Sequence, residues 1–286
     1  MRVLITGGAG FIGGALISKF LSETDYLIFN LDKLGYASDL SRIKIFDSNY
    51  QKRYSFLEVD LSNKDETLDA VRESNPDLIM HLAAESHVDR SIDGPETFVY
   101  SNVVGTFNLL EAAKDHWQKL SEIRKNNFRF HHISTDEVFG SLGKTGQFRE
   151  TSPYDPRSPY SATKAASDHL VRSWYHTYGL PTILTNCSNN YGPWQFPEKL
   201  IPTVILNALF EKPIPLYGDG LNIRDWLFID DHIDALILVA MKGQIGTSYC
   251  IGGNSEKTNK EVVHAICNSL EEICPTNISY KKTIVF

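Results

Sequence analysis

Residues 2–6 read as a short buried strand that runs straight into Gly7-Gly8-Ala9-Gly10-Phe11-Ile12-Gly13, and residues 15–22 then carry helical apolar spacing. Few folds accept that order. Glycines at a strand-to-helix turn let the backbone come close to a ligand, and the N–H groups opening the helix suit a pyrophosphate. Residues 26–31 return as a strand that leads to Asp32, about 20 residues past the turn, where a carboxylate can accept both hydroxyl hydrogens of an adenosine ribose. This βαβ unit predicts NAD in preference to NADP, with Lys33 as a neighbouring cation able to tolerate a 2′-phosphate.

The same alternation continues. Strands fit at residues 54–59, 78–82, 128–133 and 182–186, and helices at 64–73, 103–117 and 160–178. The expected fold class is therefore α/β, a Rossmann-type doubly wound, mostly parallel sheet whose ligands gather beyond the carboxyl ends of its strands. Past residue 188 the pattern loosens into Pro- and aromatic-rich segments, read as a smaller C-terminal substrate-covering part. Residues 140–157, rich in Gly, Ser and Pro, read as a mobile loop near the chemistry.

At 286 residues the chain can bury one large core or two modest ones. A net charge of -7 with the two signs interspersed offers no cationic stripe, which argues against nucleic acid and anionic membrane as partners. The apolar run at 235–241 is too short for a bilayer, and the chain starts directly with a strand, so a cytoplasmic protein is expected. The cysteines, Cys187, Cys250, Cys267 and Cys274, form no Cys-x-x-Cys pair and read as reduced thiols. His131 and His132 face opposite ways on a strand, and neither they nor His81 have partners at ligand spacing. No metal site is expected.

Ser158-Pro159 supplies a helix start and Gly179-Leu180-Pro181 a stop, so Tyr160 and Lys164 lie one turn apart on one face. An ammonium beside a phenol stabilises the phenolate, which would bring Tyr160 towards general-base work at neutral pH. Upstream, Ser134-Thr135-Asp136-Glu137 ends an apolar strand. Two adjacent carboxyls, a hydroxyl and a Tyr/Lys couple exceed what an alcohol oxidation needs and point to oxidation coupled to elimination. Consecutive strand residues face opposite ways, so for both carboxyls to reach one ligand the chain must turn there.

These motifs resemble the extended short-chain dehydrogenase/reductase family. More narrowly, His81-Leu82-Ala83-Ala84-Glu85-Ser86-His87-Val88-Asp89-Arg90-Ser91, Ser134-Thr135-Asp136-Glu137-Val138-Phe139-Gly140, Asn186-Cys187-Ser188-Asn189-Asn190-Tyr191-Gly192-Pro193, Phe196-Pro197-Glu198-Lys199-Leu200-Ile201-Pro202 and Ile223-Arg224-Asp225-Trp226 look like signatures of the dTDP-glucose 4,6-dehydratases within it. The likeness spans essentially the whole chain, and the Asp-Glu pair is its most discriminating element. It implies a lyase that dehydrates dTDP-glucose to the 4-keto-6-deoxy sugar for deoxysugar (rhamnose-type) synthesis, using NAD without net redox change.

The resemblance also assigns residues. Thr135, Asp136, Glu137, Tyr160 and Lys164 would be catalytic, with Glu137 removing the C5 proton and Asp136 protonating the C6 hydroxyl. Gly7, Gly10, Phe11, Ile12, Gly13, Asp32, Lys33, Leu34, Gly35, Asp60, Leu61, Leu82, Ala83, Ala84, Ser86, Ser101, Tyr160, Lys164 and Asn190 would line NAD. Ser86, Thr135, Asn189, Lys199, Leu200, Pro215, Leu216, Tyr217, Arg224 and Asn259 would contact the sugar nucleotide, with Arg224 on the diphosphate.

The expected domains are a NAD-binding Rossmann domain over 1–188, with 229–252 packing back on it, and a nucleotide-sugar domain over 189–286. Phe139, where many relatives have Tyr, takes no proton role. Relatives continue past Phe286 into a segment reading Asp-Arg-Pro-Gly-His, so the second domain is expected to be C-terminally incomplete, with reduced sugar-nucleotide affinity. A homodimer through the helices at 103–117 and 160–178 is implied as well. The rival readings are a nucleotide-sugar 4-epimerase, which needs no elimination acid and base, an ordinary dehydrogenase, and a non-catalytic NAD-binding fragment.

Overall fold

The apolar residues Val3, Leu4 and Ile5 of β1 (Arg2–Thr6) are fully buried, as befits a strand covered on both faces. In the computed structural model, which describes residues 1–44, 50, 52–143, 145–216, 218–276 and 279–285, this strand sits inside a seven-stranded sheet. The order is β10-β6-β5-β4-β1-β2-β3, where β2 is Leu27–Asp32, β3 Tyr54–Glu58, β4 Leu78–His81, β5 Arg129–Thr135, β6 Thr182–Cys187 and β10 Ser248–Ile251. Every pairing in it is parallel. Because β1 lies between β2 and β4, the winding reverses at β1, and the carboxyl ends of β1 and β4 border the crevice where doubly wound sheets take ligands.

Helices Phe11–Glu23, Lys64–Ser74, Gly105–Lys119 and Pro159–Tyr178 alternate with the strands. Ser158 starts the last of these through a reciprocal capping box with Ser161, and Gly179, at φ +73°, ends it in the left-handed conformation that glycine adopts without strain. The helix expected from residue 103 departs from expectation. Val99–Val104 forms a π-helix before Gly105–Lys119 begins, and this wider turn carries the buried Asn102.

The chain divides into two compact units. The first comprises Met1–Cys187 and His232–Ile251 and holds the large sheet; the second comprises Ser188–Asp231 and Gly252–Phe286. The second contains a three-stranded sheet, β11 (Glu256–Thr258), β9 (Ile223–Phe228) and β7 (Asn189–Tyr191), and a two-stranded one, β8 (Ile214–Pro215) with β12 (Ile284–Val285). Val204 and Ala208 of helix Leu200–Leu209 pack with Val263 and Cys267 of helix Asn259–Ile273 around Ile214, Leu216 and Tyr280. Among the described residues no helix is long and apolar enough to cross a membrane.

Candidate active site

The glycine turn is shaped by close approach. Gly7 has φ +74°, and a Cβ there would lie 2.7 Å from Ala83 N, so the loops after β1 and β4 touch at the point where the winding reverses. A Cβ on Gly13 would meet Gly7 O at 2.2 Å. Helix Phe11–Glu23 opens at Gly10 with no side-chain cap and no acidic residue in its first turn, which leaves its N–H groups suited to a pyrophosphate. Asp32 ends β2 and ties the neighbourhood together. It accepts hydrogen bonds from Ala9 N (3.0 Å), Leu34 N (2.9 Å) and Ser38 Oγ (3.1 Å). Leu34 holds φ +54°, a strained value for a branched residue, and its N–H bond to Asp32 offsets part of that strain. These features fit a dinucleotide.

Gly7, Gly10, Phe11, Ile12, Gly13, Asp32, Lys33, Leu34, Gly35, Asp60, Leu61, Leu82, Ala83, Ala84, Ser86 and Ser101 all belong to the first unit, most of them in the loops that follow β1 to β4. Asn190 falls in the second. Leu61 is buried and its carbonyl is taken by Asn108 and Thr67, so its side chain serves the core. Lys33 departs from expectation: its Nζ lies 2.8 Å from Glu85 Oε1 and donates to Ser101 Oγ at 3.3 Å, so it is not a free cation.

β5 ends at Thr135, and Asp136–Phe139 winds into a single 3-10 turn, which is how two neighbouring carboxyls leave the strand's alternation. Thr135 Oγ1 caps this turn by accepting from Glu137 N at 3.3 Å. Phe139 is buried against Phe148 and Tyr154, with ring centroids 5.2 Å away in each case. Its role is packing. Tyr154 also pins the far end of the 140–157 segment, donating to Asp168 Oδ2 at 2.9 Å.

Tyr160 and Lys164 are both buried on helix Pro159–Tyr178. The Lys164 ammonium donates to the carbonyl of Ile133 at 3.0 Å. Burial lowers its pKa, while Asp168 and Cys187 oppose the fall. The phenol of Tyr160 corrects the sequence expectation. Burial, then the Glu137 charge, hold its pKa well above the ordinary value; Cys187 and Asp136 add to the shift, and hydrogen bonding with Thr135 opposes it. The ammonium is bonded to the Ile133 carbonyl, and at the phenol desolvation prevails.

Two further residues emerge that the sequence did not single out. Asp168 is fully buried and accepts from Ser134 Oγ (3.0 Å), Tyr154 Oη (2.9 Å) and Asn186 Nδ2 (3.2 Å), clamping the ends of β5 and β6. Its Oδ1 lies 3.2 Å from His132 Nε2 without hydrogen-bond alignment, so that contact is electrostatic. Burial works to raise the Asp168 pKa, but His132, Lys164 and Ser134 overcome it and hold the carboxyl below its usual range. The second is Asn102, which accepts from Glu85 N (2.8 Å) and donates to Glu85 O and Thr163 Oγ1 (both 3.0 Å). The spacing of Asp168 four residues after Lys164 was the available signal for the first; nothing local marked the second.

The histidines have structural surroundings. His81 bonds Thr6 and Thr106, and His131 bonds Thr185. His132 has an acidic neighbour in Asp168 that sequence spacing did not reveal. No group of three or more metal-binding side chains occurs among the described residues, and none of the four cysteines is in a disulfide.

In the second unit, Asn189 lies on β7, Lys199 immediately precedes the helix that Leu200 begins, without a side-chain cap, Pro215 is on β8, Arg224 on β9, and Asn259 opens helix Asn259–Ile273. Leu216 belongs to the core, and its N–H is taken by Val285 O at 2.8 Å. Tyr217 lies outside the described residues. Arg224 pairs directly with Lys257 across β9 and β11, which sets two exposed cations side by side. An anion between them would relieve their repulsion.

A glycine turn feeding an uncapped helix, Asp32 at the end of β2 and a buried Tyr160–Lys164 couple define a nucleotide-binding enzyme of the extended short-chain dehydrogenase/reductase class. Residues 4–284 match the family described as GDP-mannose 4,6 dehydratase. The dTDP-glucose 4,6-dehydratase of Salmonella typhimurium is 52% identical over all of this chain and 81% of its own length. Crystal structures of dTDP-glucose 4,6-dehydratases agree. That from Bacillus anthracis, in complex with NAD, has a TM-score of 0.85 at 43% identity, over 100% of this chain and 84% of that one. The Streptomyces venezuelae enzyme, with NAD and a second ligand bound, has a TM-score of 0.89 at 39% identity over the same shares. The chain belongs to the dTDP-glucose 4,6-dehydratase family.

Proposed function

We propose that this chain is a hydro-lyase that converts dTDP-glucose to dTDP-4-keto-6-deoxy-glucose with NAD as a resident cofactor. The observation that carries the reading is the Asp136–Glu137 turn at the end of the strand beside the Tyr160–Lys164 couple. An epimerase of this fold needs no such acid and base. Bound NAD would supply the hydride acceptor for C4 and the hydride donor for C6, with no net redox change. The glycine turn and Asp32 hold its pyrophosphate and ribose.

The proton work falls to the chain's own side chains. Tyr160 takes the C4 hydroxyl proton, with Thr135 as its hydrogen-bonding neighbour; positive charge from Lys164 and from a bound nicotinamide would bring down the phenol pKa that burial raises. Once C4 is a ketone the C5 hydrogen is acidic, and Glu137 removes it. Asp136 protonates the C6 hydroxyl so that it leaves as water, and the enolate left once C6 has received hydride takes a proton back at C5 from Glu137, which exchanges with solvent. In the second unit Arg224 pairs with the diphosphate, and Asn189, Lys199, Leu200 and Asn259 serve the rest of the nucleotide sugar.

A cytoplasmic homodimer in deoxysugar synthesis completes the reading. Val99, Tyr100, Phe107 and Tyr178 supply exposed apolar surface on and beside the helices implied at the two-fold interface. Turnover of dTDP-glucose in deuterated water tests the reaction: solvent deuterium at C5, loss of water and no accumulating reduced cofactor are expected. Inversion at C4 without deuterium would make the chain an epimerase.

A further inference from the structure

We propose that Glu85 is a specificity-determining residue that makes the cofactor site discriminate against NADP, by holding Lys33 away from a 2′-phosphate. The inference deepens the NAD reading above and rests on it. Asp32 repels a 2′-phosphate, and a cation next to it in sequence would ordinarily compensate. Lys33 is that cation. Its Nζ, however, sits 2.8 Å from Glu85 Oε1 and 3.3 Å from Ser101 Oγ.

Asp32, Lys33 and Glu85 together carry a net negative charge, where Asp32 and Lys33 alone would be neutral. An exposed ion pair contributes little, because two long side chains must be ordered to make it. This one differs in its surroundings. The Lys33 and Glu85 side chains are only 30% and 18% exposed. The Glu85 backbone is fixed at both polar atoms by the buried Asn102, which in turn bonds Thr163 beside Lys164. The loop after β4 thus presents the carboxylate from a locked position, and Lys33 meets a standing partner.

The test is titration of NAD and of NADP into nucleotide-free protein, followed by calorimetry, for the parent, Glu85→Gln and Lys33→Met/Glu85→Gln. The parent should prefer NAD. Glu85→Gln should tighten NADP binding about tenfold relative to NAD, since a freed ammonium forms a charge-assisted bond to phosphate. The gain should vanish in the double variant and shrink as salt screens the charges. Glu85→Ala gives the same readout should the amide disturb the loop. An unchanged NAD-to-NADP ratio in both single variants overturns the proposal, as does a gain that survives loss of Lys33, which would mean direct repulsion by Glu85. If the parent bound neither nucleotide, the cofactor reading itself would fail; NAD binding with unaltered discrimination would sink only the role of Glu85.

Discussion

The Asp168 carboxylate lies one helical turn beyond the Lys164 ammonium on helix Pro159–Tyr178, and it is the foremost group opposing the loss of charge that burial imposes on that lysine. His132, its other close neighbour, has a pKa lowered by burial to about 4 and is neutral at physiological pH. Lys164 also helps to hold the Asp168 carboxyl below its usual range. Asp168→Asn keeps the shape and most hydrogen bonds but removes the negative charge, so the Lys164 pKa falls further. The alkaline limb of kcat/KM is expected to move to lower pH, with the thermal unfolding profile showing a folded protein. An unmoved limb would assign Asp168 to strand clamping alone.

The turn at Asp136–Phe139 separates two stages of reaction, and its residues should fail differently. Tyr160→Phe removes the group that takes the first proton, so reduced cofactor should not form; a loss of about a hundredfold or more is the usual scale for such a group. Glu137→Gln leaves oxidation possible and blocks the next proton transfer, so reduced nicotinamide should accumulate and persist. Rapid-mixing absorbance distinguishes them. The same early block in both variants would refute the assigned division of labour.

What the sequence made legible was whatever lies within one segment. The glycine turn, Asp32, the Tyr160–Lys164 spacing and the parallel alternation each depend on local period or on a single βαβ unit, and strand and helix limits in the large sheet fall close to expectation. Contacts made only by the sheet order were not legible. Lys33 meets Glu85 because β1 places β2 and β4 on its two sides, and Asn102 reaches Glu85 from a π turn that no periodicity announces. The short strands β7 and β11 are polar, and β9, though largely apolar, lacks the alternation that would give it away. The Tyr160 pKa was misjudged for a related reason, since burial and neighbouring carboxylates depend on tertiary packing.

Asn102 satisfies both backbone polar atoms of Glu85, so its loss should be felt as stability. Asn102→Ala leaves the part-buried N–H and C=O of Glu85 without these partners, at a cost on the order of 1 to 2 kcal/mol. A drop in the denaturant midpoint at unchanged slope is the expected signature. A midpoint equal to that of the parent would mean that water replaces the clamp at no cost.

Arg224 and Lys257 face each other across adjacent antiparallel strands of the second unit. Like charges so placed destabilise the free chain and favour an anionic guest. Arg224→Ala should weaken dTDP binding roughly tenfold to a hundredfold, the range of a charge-assisted hydrogen bond, and flatten its salt dependence. Lys257→Ala should weaken binding less while slightly stabilising the unliganded protein. Calorimetry at two salt concentrations measures both, and dTDP affinity unaffected by Arg224→Ala would remove that residue from the diphosphate site.

Acid should destabilise the first unit through its buried imidazoles. Burial lowers the pKa of His131 to about 3 and those of His132 and His232 to about 4. In the unfolded chain each has a pKa near the ordinary value of about 6.5. Below that value the unfolded state binds protons that the folded state refuses, so stability is fully present above about pH 6.5 and is lost as pH falls towards the folded pKa. Each histidine contributes a slope of about 1.4 kcal/mol per pH unit at most. His232 is the clean test, because neither ring nitrogen has a hydrogen-bond partner among the described residues. His232→Leu should lose stability less steeply than the parent between about pH 6.5 and about pH 4, by up to one histidine's share of the slope. Equal slopes in urea denaturation across that range would show that His232 takes up its proton in the folded protein, and the buried neutral imidazole would not be the source of acid sensitivity.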